Sequence, residues 1–166
     1  MRARFPTLRL VPILCFAAAM AACGFQLRGE AELPPELGRV RLEVADPFSP
    51  LARDLGNALR RSGSTLTDQA DAAALRIRVD VLGTLPLTVG VTGRVQEYVL
   101  RYQVEFEVIA ADGRVLLPRQ RIELSREFSF DTAQAIGSPA EEETMREELR
   151  REMVQAIMRR LEQART

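Results

Sequence analysis

The sequence predicts an α+β fold, a two-layer sandwich in which two helices lie on one face of a four-stranded mixed sheet, in the order β-α-β-β-β-α. Four segments alternate apolar and polar residues with the period of two that is typical of half-buried strands. Two further segments carry apolar residues at helical spacing behind recognisable start signals. Because every strand is polar on one side, the helices can cover only the other side.

The first 22 residues have the composition of an export signal. Arg2, Arg4 and Arg9 precede an apolar run from residue 11 to residue 20, and the segment contains no acidic residue. A membrane-spanning helix needs roughly 20 apolar residues, so this shorter run is typical of a removable signal peptide. We therefore expect residues 1–22 to be a signal peptide.

The signal ends in a lipobox-like sequence, Met20-Ala21-Ala22-Cys23-Gly24, with methionine where leucine is usual. This resemblance implies cleavage before Cys23, a diacylglycerol on its sulfur and an acyl chain on its nitrogen. Three acyl chains would anchor the protein stably in a membrane. In the class it resembles, a residue other than aspartate after the cysteine implies the outer membrane, on the periplasmic side. The alternative is an ordinary signal with a chance cysteine.

The rest of the chain is predicted to be a lipidated tether, residues 23–38, and a single domain, residues 39–166. The tether contains two prolines and shows no hydrophobic period. The first strand follows, with Val40, Leu42 and Val44 on one side. Ser49-Pro50 then offers an N-cap and a proline at the first helical position. The predicted helix runs from about Pro50 to Ser62, and Gly63 supplies a left-handed cap.

The second strand is predicted to place Leu75, Ile77, Val79 and Val81 on its buried side. A strand, a helix and a strand joined by short links indicate a parallel pair. The third strand carries the longest apolar stripe: Tyr98, Leu100, Tyr102, Val104, Phe106 and Val108. Asp112-Gly113 favours a tight turn, so the fourth strand should return antiparallel. Its apolar side comprises Ile122, Leu124, Phe128 and Phe130, with Arg126 interrupting it.

The last helix is predicted to begin at Ser138-Pro139-Ala140-Glu141, which combines a capping box with proline at the first helical position. Glutamates follow in the first turn and arginines stand near the end, as the helix dipole favours. Its buried stripe is predicted to comprise Met145, Leu149, Met153, Ala156, Ile157 and Leu161.

The composition argues against several classes of function. The chain contains no histidine, and Cys23 would be its only thiol after cleavage, so the commonest general base, thiolate chemistry and most transition-metal sites are absent. No Gly-rich phosphate loop or nucleophile elbow occurs. Without the three signal arginines, the chain has 20 basic and 23 acidic residues. The resulting net negative charge disfavours nucleic-acid binding. We therefore predict no enzyme, no metal site and no cofactor.

The segment from Gly83 to Gly93 is predicted to be a long connection between the second and third strands. It is rich in leucine and valine, whereas connections are usually short and polar. Two interpretations stand equally at this point: its apolar residues pack on the edge of the core, or they contact another molecule. The candidate contact residues are Leu85, Leu87, Val89 and Val91.

Several motifs resemble the LptE family of lipopolysaccharide-assembly lipoproteins. The opening of the processed chain, residues 23–29 (CGFQLRG), is fairly specific. The Pro50-Leu51 helix start, the approach to the third strand at residues 93–98 and the pair Phe128 and Phe130 extend the likeness along almost the whole processed chain.

This resemblance implies an α/β sandwich that plugs the lumen of the outer-membrane barrel LptD in a 1:1 complex, helps the barrel assemble and helps deliver lipopolysaccharide to the cell surface. A sheet with one charged face suits the polar interior of a barrel. The resemblance also implies direct contact with lipopolysaccharide through basic residues, of which Arg94 matches one by position. A second, usually a lysine before the last helix, corresponds to the region of Ser138, so this chain departs from the pattern there.

Two other functions are compatible with the sequence. An auxiliary lipoprotein of a lipid-transporting ABC system would also be a small α/β protein with a similar signal. A periplasmic hydrolase is a more distant alternative. Paired acids such as Glu105 and Glu107 could act as catalytic carboxylates, but they are spaced along a strand, which is typical of a solvated face.

Overall fold

The computed structural model describes residues 33–89, 95–129 and 138–164. The elements are a 3-10 helix (Pro35–Gly38), β1 (Arg39–Glu43), α1 (Pro50–Arg61), β2 (Thr65–Leu66), β3 (Ala73–Val89), β4 (Val95–Ile109), β5 (Val115–Ser129) and α2 (Ser138–Gln163). The strands form one mixed sheet in the order β2-β1-β3-β4-β5. The predicted α+β fold is thus confirmed.

The predicted count of four strands was one too few. The additional strand, β2, has two residues and pairs with β1 in parallel, with Thr65 opposite Arg39 and Leu66 opposite Val40. Two residues are too few to show an alternation of apolar and polar side chains, which is why the sequence pattern does not reveal β2.

The strand pairings agree with the sequence interpretation. β1 and β3 are parallel neighbours with α1 between them in the chain, whereas β3, β4 and β5 pair antiparallel. The turn from β4 to β5 contains Gly113 at a φ of 87°, a conformation that glycine adopts without strain. Asp112 supports this turn by accepting the backbone N–H of Arg114 at 3.0 Å.

Helix α1 begins and ends with the local chemistry that the sequence predicts. The Ser49 hydroxyl accepts the backbone N–H of Ala52 at 3.1 Å, and Pro50 follows at the first helical position. The helix ends at Arg61, and Gly63 leaves it at a φ of 84°. This end lies one residue before the predicted end.

The core lies between the helices and one face of the sheet. β4 contributes the predicted stripe from Leu100 to Val108, and α2 contributes a stripe from Leu149 to Leu161. In α2 the predicted Ala156 is only partly buried, whereas Val154 and Met158 are buried in addition. Side chains that are no more than 1% exposed include Leu55, Leu59, Leu100, Tyr102, Val104, Phe106, Leu149, Met153, Ile157 and Leu161. Both helices therefore pack on the same face of the sheet.

Packed structure begins before Arg39, where the domain was predicted to start. Leu37, within the 3-10 helix, is 1% exposed and belongs to the core. Its carbonyl oxygen accepts the hydroxyl of the buried Ser64 at 2.7 Å. Prolines 34 and 35 suggested a linker, but Leu37 packs in the core, so packed structure begins within the predicted tether.

Candidate functional site

Most of the predicted loop from Gly83 to Gly93 is instead a strand. Residues 83–89 continue β3, and Leu85 and Pro86 pair with Val99 and Tyr98 of β4. Only Ala74–Arg76 of β3 have partners in both neighbouring strands, because β1 extends no further. Beyond Arg76, β3 is an edge strand, where a proline such as Pro86 is tolerated. We call the paired segments Val81–Val89 and Val95–Gln103 the arm.

A β-bulge reverses the faces of β3 before the arm begins. Ile77 pairs with Phe106 and Val79 pairs with Glu105, so Arg78 is an extra residue with no partner in β4. The prediction that Val79 and Val81 continue the buried side is therefore wrong. Val79 is only partly buried and Val81 is 59% exposed.

On the outward surface of the arm, β3 carries accessible apolar side chains, beside the polar Arg101 and Gln103 of β4. Leu85 is 44% exposed and Leu87 is 48% exposed, and together with Val81 they are three of the five large hydrophobic side chains with high exposure in the described part of the chain. Val99, opposite Leu85, is 9% exposed. This concentration of exposed apolar side chains on one strand favours a contact surface.

The other side of the arm is bonded to helix α2. The Thr84 hydroxyl donates to the Glu142 carboxylate at 2.9 Å, and the Arg146 guanidinium donates to both Thr84 and Glu142, at 2.7 and 2.6 Å. Hydrogen bonds from Arg146 and then Thr84 lower the pKa of Glu142. We call these three residues the latch. The latch is not evident from the sequence, although the spacing of Glu142 and Arg146 by four residues indicates a helical ion pair.

Two further contacts hold the arm to the core. The rings of Tyr98 and Phe128 stack with their centres 5.6 Å apart. The Tyr102 hydroxyl donates to the Asp80 carboxylate at 2.9 Å. Loss of hydration raises the pKa of Asp80, and the hydrogen bond from Tyr102 opposes this rise. Asp80 faces the helices because the bulge at Arg78 has reversed the strand.

The uncovered face of the sheet is charged and paired within itself. Its side chains form cross-strand bonds: Arg76 with Glu43 at 2.6 Å, Arg78 with Glu107 at 2.7 Å, Arg121 with Gln103 at 2.7 Å and Arg101 with Glu123 at 3.4 Å. Arg126, which interrupts the apolar side of β5, instead reaches Glu152 of α2 at 2.7 Å. The uncovered face is therefore suited to water.

The structure describes only some of the predicted site residues. Leu85 and Leu87 lie on the accessible surface of the arm. Val89 is the last residue of β3, but its side chain is outside the described set. Cys23, Val91, Arg94 and Phe130 lie outside the described residues.

Within residues 33–89, 95–129 and 138–164, no helix is both long enough and apolar enough to cross a membrane. The same residues contain no group of three or more histidine, cysteine, aspartate or glutamate side chains that could hold a metal ion.

The chain is similar to known lipoproteins in sequence and in fold. A family model described as "LptE: Lipopolysaccharide-assembly" matches residues 37–161. The LPS-assembly lipoprotein LptE of Yersinia enterocolitica is 34% identical over 144 residues, which cover 85% of this chain and 69% of that protein. The corresponding protein of Photorhabdus laumondii is 30% identical over 157 residues, which cover 92% of this chain and 85% of that protein. The solution structure of lipoprotein B from Nitrosomonas europaea matches with a TM-score of 0.68 and 28% identity, covering 82% of this chain and 88% of that one.

Proposed function

The chain belongs to the LptE family of lipopolysaccharide-assembly lipoproteins, and from this premise we propose that it plugs and helps assemble the LptD barrel in the outer membrane. Its role is in lipopolysaccharide transport and assembly, and the family is not a known enzyme family. In the proposed complex, one copy of the chain occupies one barrel and assists delivery of lipopolysaccharide to the cell surface.

The observation that carries the proposal is the set of exposed apolar side chains on the outward surface of the arm. The latch and the Tyr98–Phe128 stack hold the arm on its helix side. Its outward side chains Leu85 and Leu87 remain about half exposed. An apolar surface fixed to a rigid sheet is pre-organised for a partner, because little conformational freedom is lost on binding. We therefore assign the arm as the contact with the barrel.

The charged face of the sheet supports a position inside a barrel. The lumen of a large outer-membrane barrel is polar and wet, so a plug needs a hydrated surface over much of its area. Here the arginines and acids of the uncovered face satisfy one another across the strands, as in the pair Arg78 and Glu107. Such a face can lie in a polar lumen because its charged side chains keep their ion-pair partners within the sheet.

Two residues outside the described set complete the proposal. Acylated Cys23 would hold the protein at the periplasmic side of the outer membrane. Arg94, the residue before β4 in the sequence, would contact a lipopolysaccharide phosphate, since a guanidinium can form two parallel hydrogen bonds to a phosphate. Both assignments follow from the family resemblance of residues 20–24 and 93–98.

The barrel contact can be tested by changing the arm without changing the core. We expect Leu87→Asp to weaken the co-purification of LptD from detergent-extracted membranes, because the aspartate would lose hydration at an apolar contact. Since Leu87 is 48% exposed, its change should alter the free energy of unfolding of the chain alone by under about 0.5 kcal/mol.

Val115→Asp is the matched control, because Val115 is 62% exposed on β5, away from the arm. It should leave both LptD capture and stability unchanged. If Leu87→Asp lowers stability and capture by the same proportion, Leu87 packs on its own core and the arm is not the contact. Equal capture by Leu87→Asp and the unmodified chain would also overturn the assignment.

A further inference from the structure

A second surface, distant in sequence from the arm, lies between the two helices. Helices α1 and α2 pack side by side, and a groove of about 490 Å³ opens between them. We call it the helix groove. One wall carries Arg53, Asn57 and Arg61, which are spaced by four residues and so share one face of α1. From Arg53 to Arg61 this wall is about 12 Å long, at about 1.5 Å per residue.

The helix groove is basic in a chain with no net charge. Arg53 and Arg61 line one wall, and Arg150 and Arg151 line the other. Asp54 and Glu147 are the carboxylates that line it, and Glu143 pairs with Arg150 from outside the lining, so one positive charge is in excess. The whole sequence has equal numbers of basic and acidic residues, which makes this local excess a feature of the groove rather than of the composition.

The arginines on the open rim of the groove are weakly engaged. Arg53 pairs with its neighbour Asp54 at 3.1 Å and is 69% exposed. Arg151 pairs with Glu147 at 3.9 Å and is 62% exposed. Exposed ion pairs of this kind contribute little, so both guanidinium groups can turn toward another anion. Arg61 has neither an ion pair nor a side-chain hydrogen bond among the residues that the structure describes.

The deeper wall is more fixed. The Arg150 side chain is 19% exposed and donates to Glu143 at 2.6 Å. The amides of Asn57 and Gln155 also line the groove. The Asn57 carbonyl oxygen already accepts Arg60 at 3.0 Å, and its NH2 group remains to donate. An amide can hydrogen-bond the hydroxyl groups of a sugar, whereas guanidinium groups match phosphate. The two chemistries lie side by side in the same groove.

We propose that the helix groove binds the phosphorylated sugar headgroup of a glycolipid. This inference rests on the proposed function, which makes lipopolysaccharide the cargo, and it assigns a site for the cargo that is separate from the arm. The phosphate pairs with Arg53 and Arg61, and the sugar hydroxyls meet Asn57 and Gln155. The acyl chains need no place in the groove, because its charged walls are unsuited to them.

The test measures binding of detergent-dispersed lipopolysaccharide to the full detergent-purified chain. The groove variant is Arg53→Gln with Arg61→Gln. The matched control is Arg159→Gln with Arg160→Gln, which removes the same charge from exposed positions of α2 outside the groove. We expect the groove variant to bind about tenfold more weakly, with a difference that shrinks as salt is added, and the control to change by less than about twofold.

A second ligand separates phosphate recognition from other contacts. Lipopolysaccharide can be dephosphorylated with hydrofluoric acid. The unmodified chain should bind this lipid as weakly as the groove variant binds intact lipopolysaccharide. The groove variant should bind the dephosphorylated and the intact lipid with the same affinity. Equal binding by the groove variant and the control would overturn the proposal, as would undiminished binding of the dephosphorylated lipid. If inorganic pyrophosphate alone bound as tightly as lipopolysaccharide, the site would serve free phosphate and not a headgroup.

Co-purification of LptD with the same variants keeps this inference separate from the proposed function. If LptD is captured normally by the groove variant while lipid binding falls, both proposals stand. If the groove variant loses LptD but keeps lipopolysaccharide, the groove binds an acidic part of a protein and the inference is wrong. If the unmodified chain captures no LptD, the plug function fails whatever the lipid measurements give.

Discussion

Replacing Phe106 tests whether the core is built as described. Phe106 lies on β4 opposite Ile77 of β3, is 0% exposed and belongs to the cluster shared by the sheet and both helices. Removing a buried aromatic ring loses its transfer free energy, about 1.5–3 kcal/mol, and leaves a cavity that the surrounding strands fill only partly. Together these terms predict that Phe106→Ala lowers the free energy of unfolding by about 3–5 kcal/mol.

The measurement is a urea titration of the processed chain with Cys23→Ala, so that no lipid is present. With a urea slope of about 2 kcal/mol per molar, the midpoint should fall by about 2 M. Val115→Ala is the control, because Val115 is 62% exposed, and it should cost under about 0.5 kcal/mol. If the two substitutions shift the midpoint equally, Phe106 does not lie in the core and the arrangement of β4 is wrong.

Two further predictions concern the latch and the lipid anchor. The pKa of Glu142 is lowered in the folded chain, so its stabilising effect is present above the ordinary value of 4.5 and is lost as the pH falls below it. Urea midpoints should therefore show that Glu142→Gln destabilises the chain at pH 7 and has little effect at pH 3. Glu148→Gln is the control, because Glu148 is at an exposed position of the same helix, and it should change the midpoint at neither pH. Cys23→Ala should abolish labelling by a radioactive fatty acid and release the protein from membranes of cells that lack LptD. A variant that stays in those membranes without label would contradict the lipobox interpretation.

The elements that the sequence predicts best are those decided by neighbouring residues. The stripe on β4 is regular over eleven residues, and each of its side chains from Leu100 to Val108 is buried. The start of α1 depends on Ser49 and Pro50, and the turn into β5 depends on Gly113. In these places local hydrogen bonding and backbone preference agree with the tertiary structure, so a single sequence is sufficient.

The surfaces that matter for the candidate site depend on contacts between distant segments. Gly83 and Pro86 favour a loop by local preference, but pairing with β4 makes this segment a strand. The latch joins Thr84 to Glu142 and Arg146, 58 and 62 positions away, and the helix groove joins α1 to α2. No hydrophobic period within one segment can report a contact of this kind. Cys23 and Arg94 remain predictions from motif and resemblance.

The bulge at Arg78 connects these observations. Had β3 continued its alternation, Val79 and Val81 would face the helices, while Asp80 and Thr84 would face outward. The extra residue places Asp80 against Tyr102 and Thr84 within the latch, both on the helix side. It also turns Val81 and Leu85 outward, where they are 59% and 44% exposed. One inserted residue thus anchors the arm to the domain by polar bonds on its inner side. It also leaves apolar side chains of β3 accessible on the outer side, and a rigid docking surface requires both.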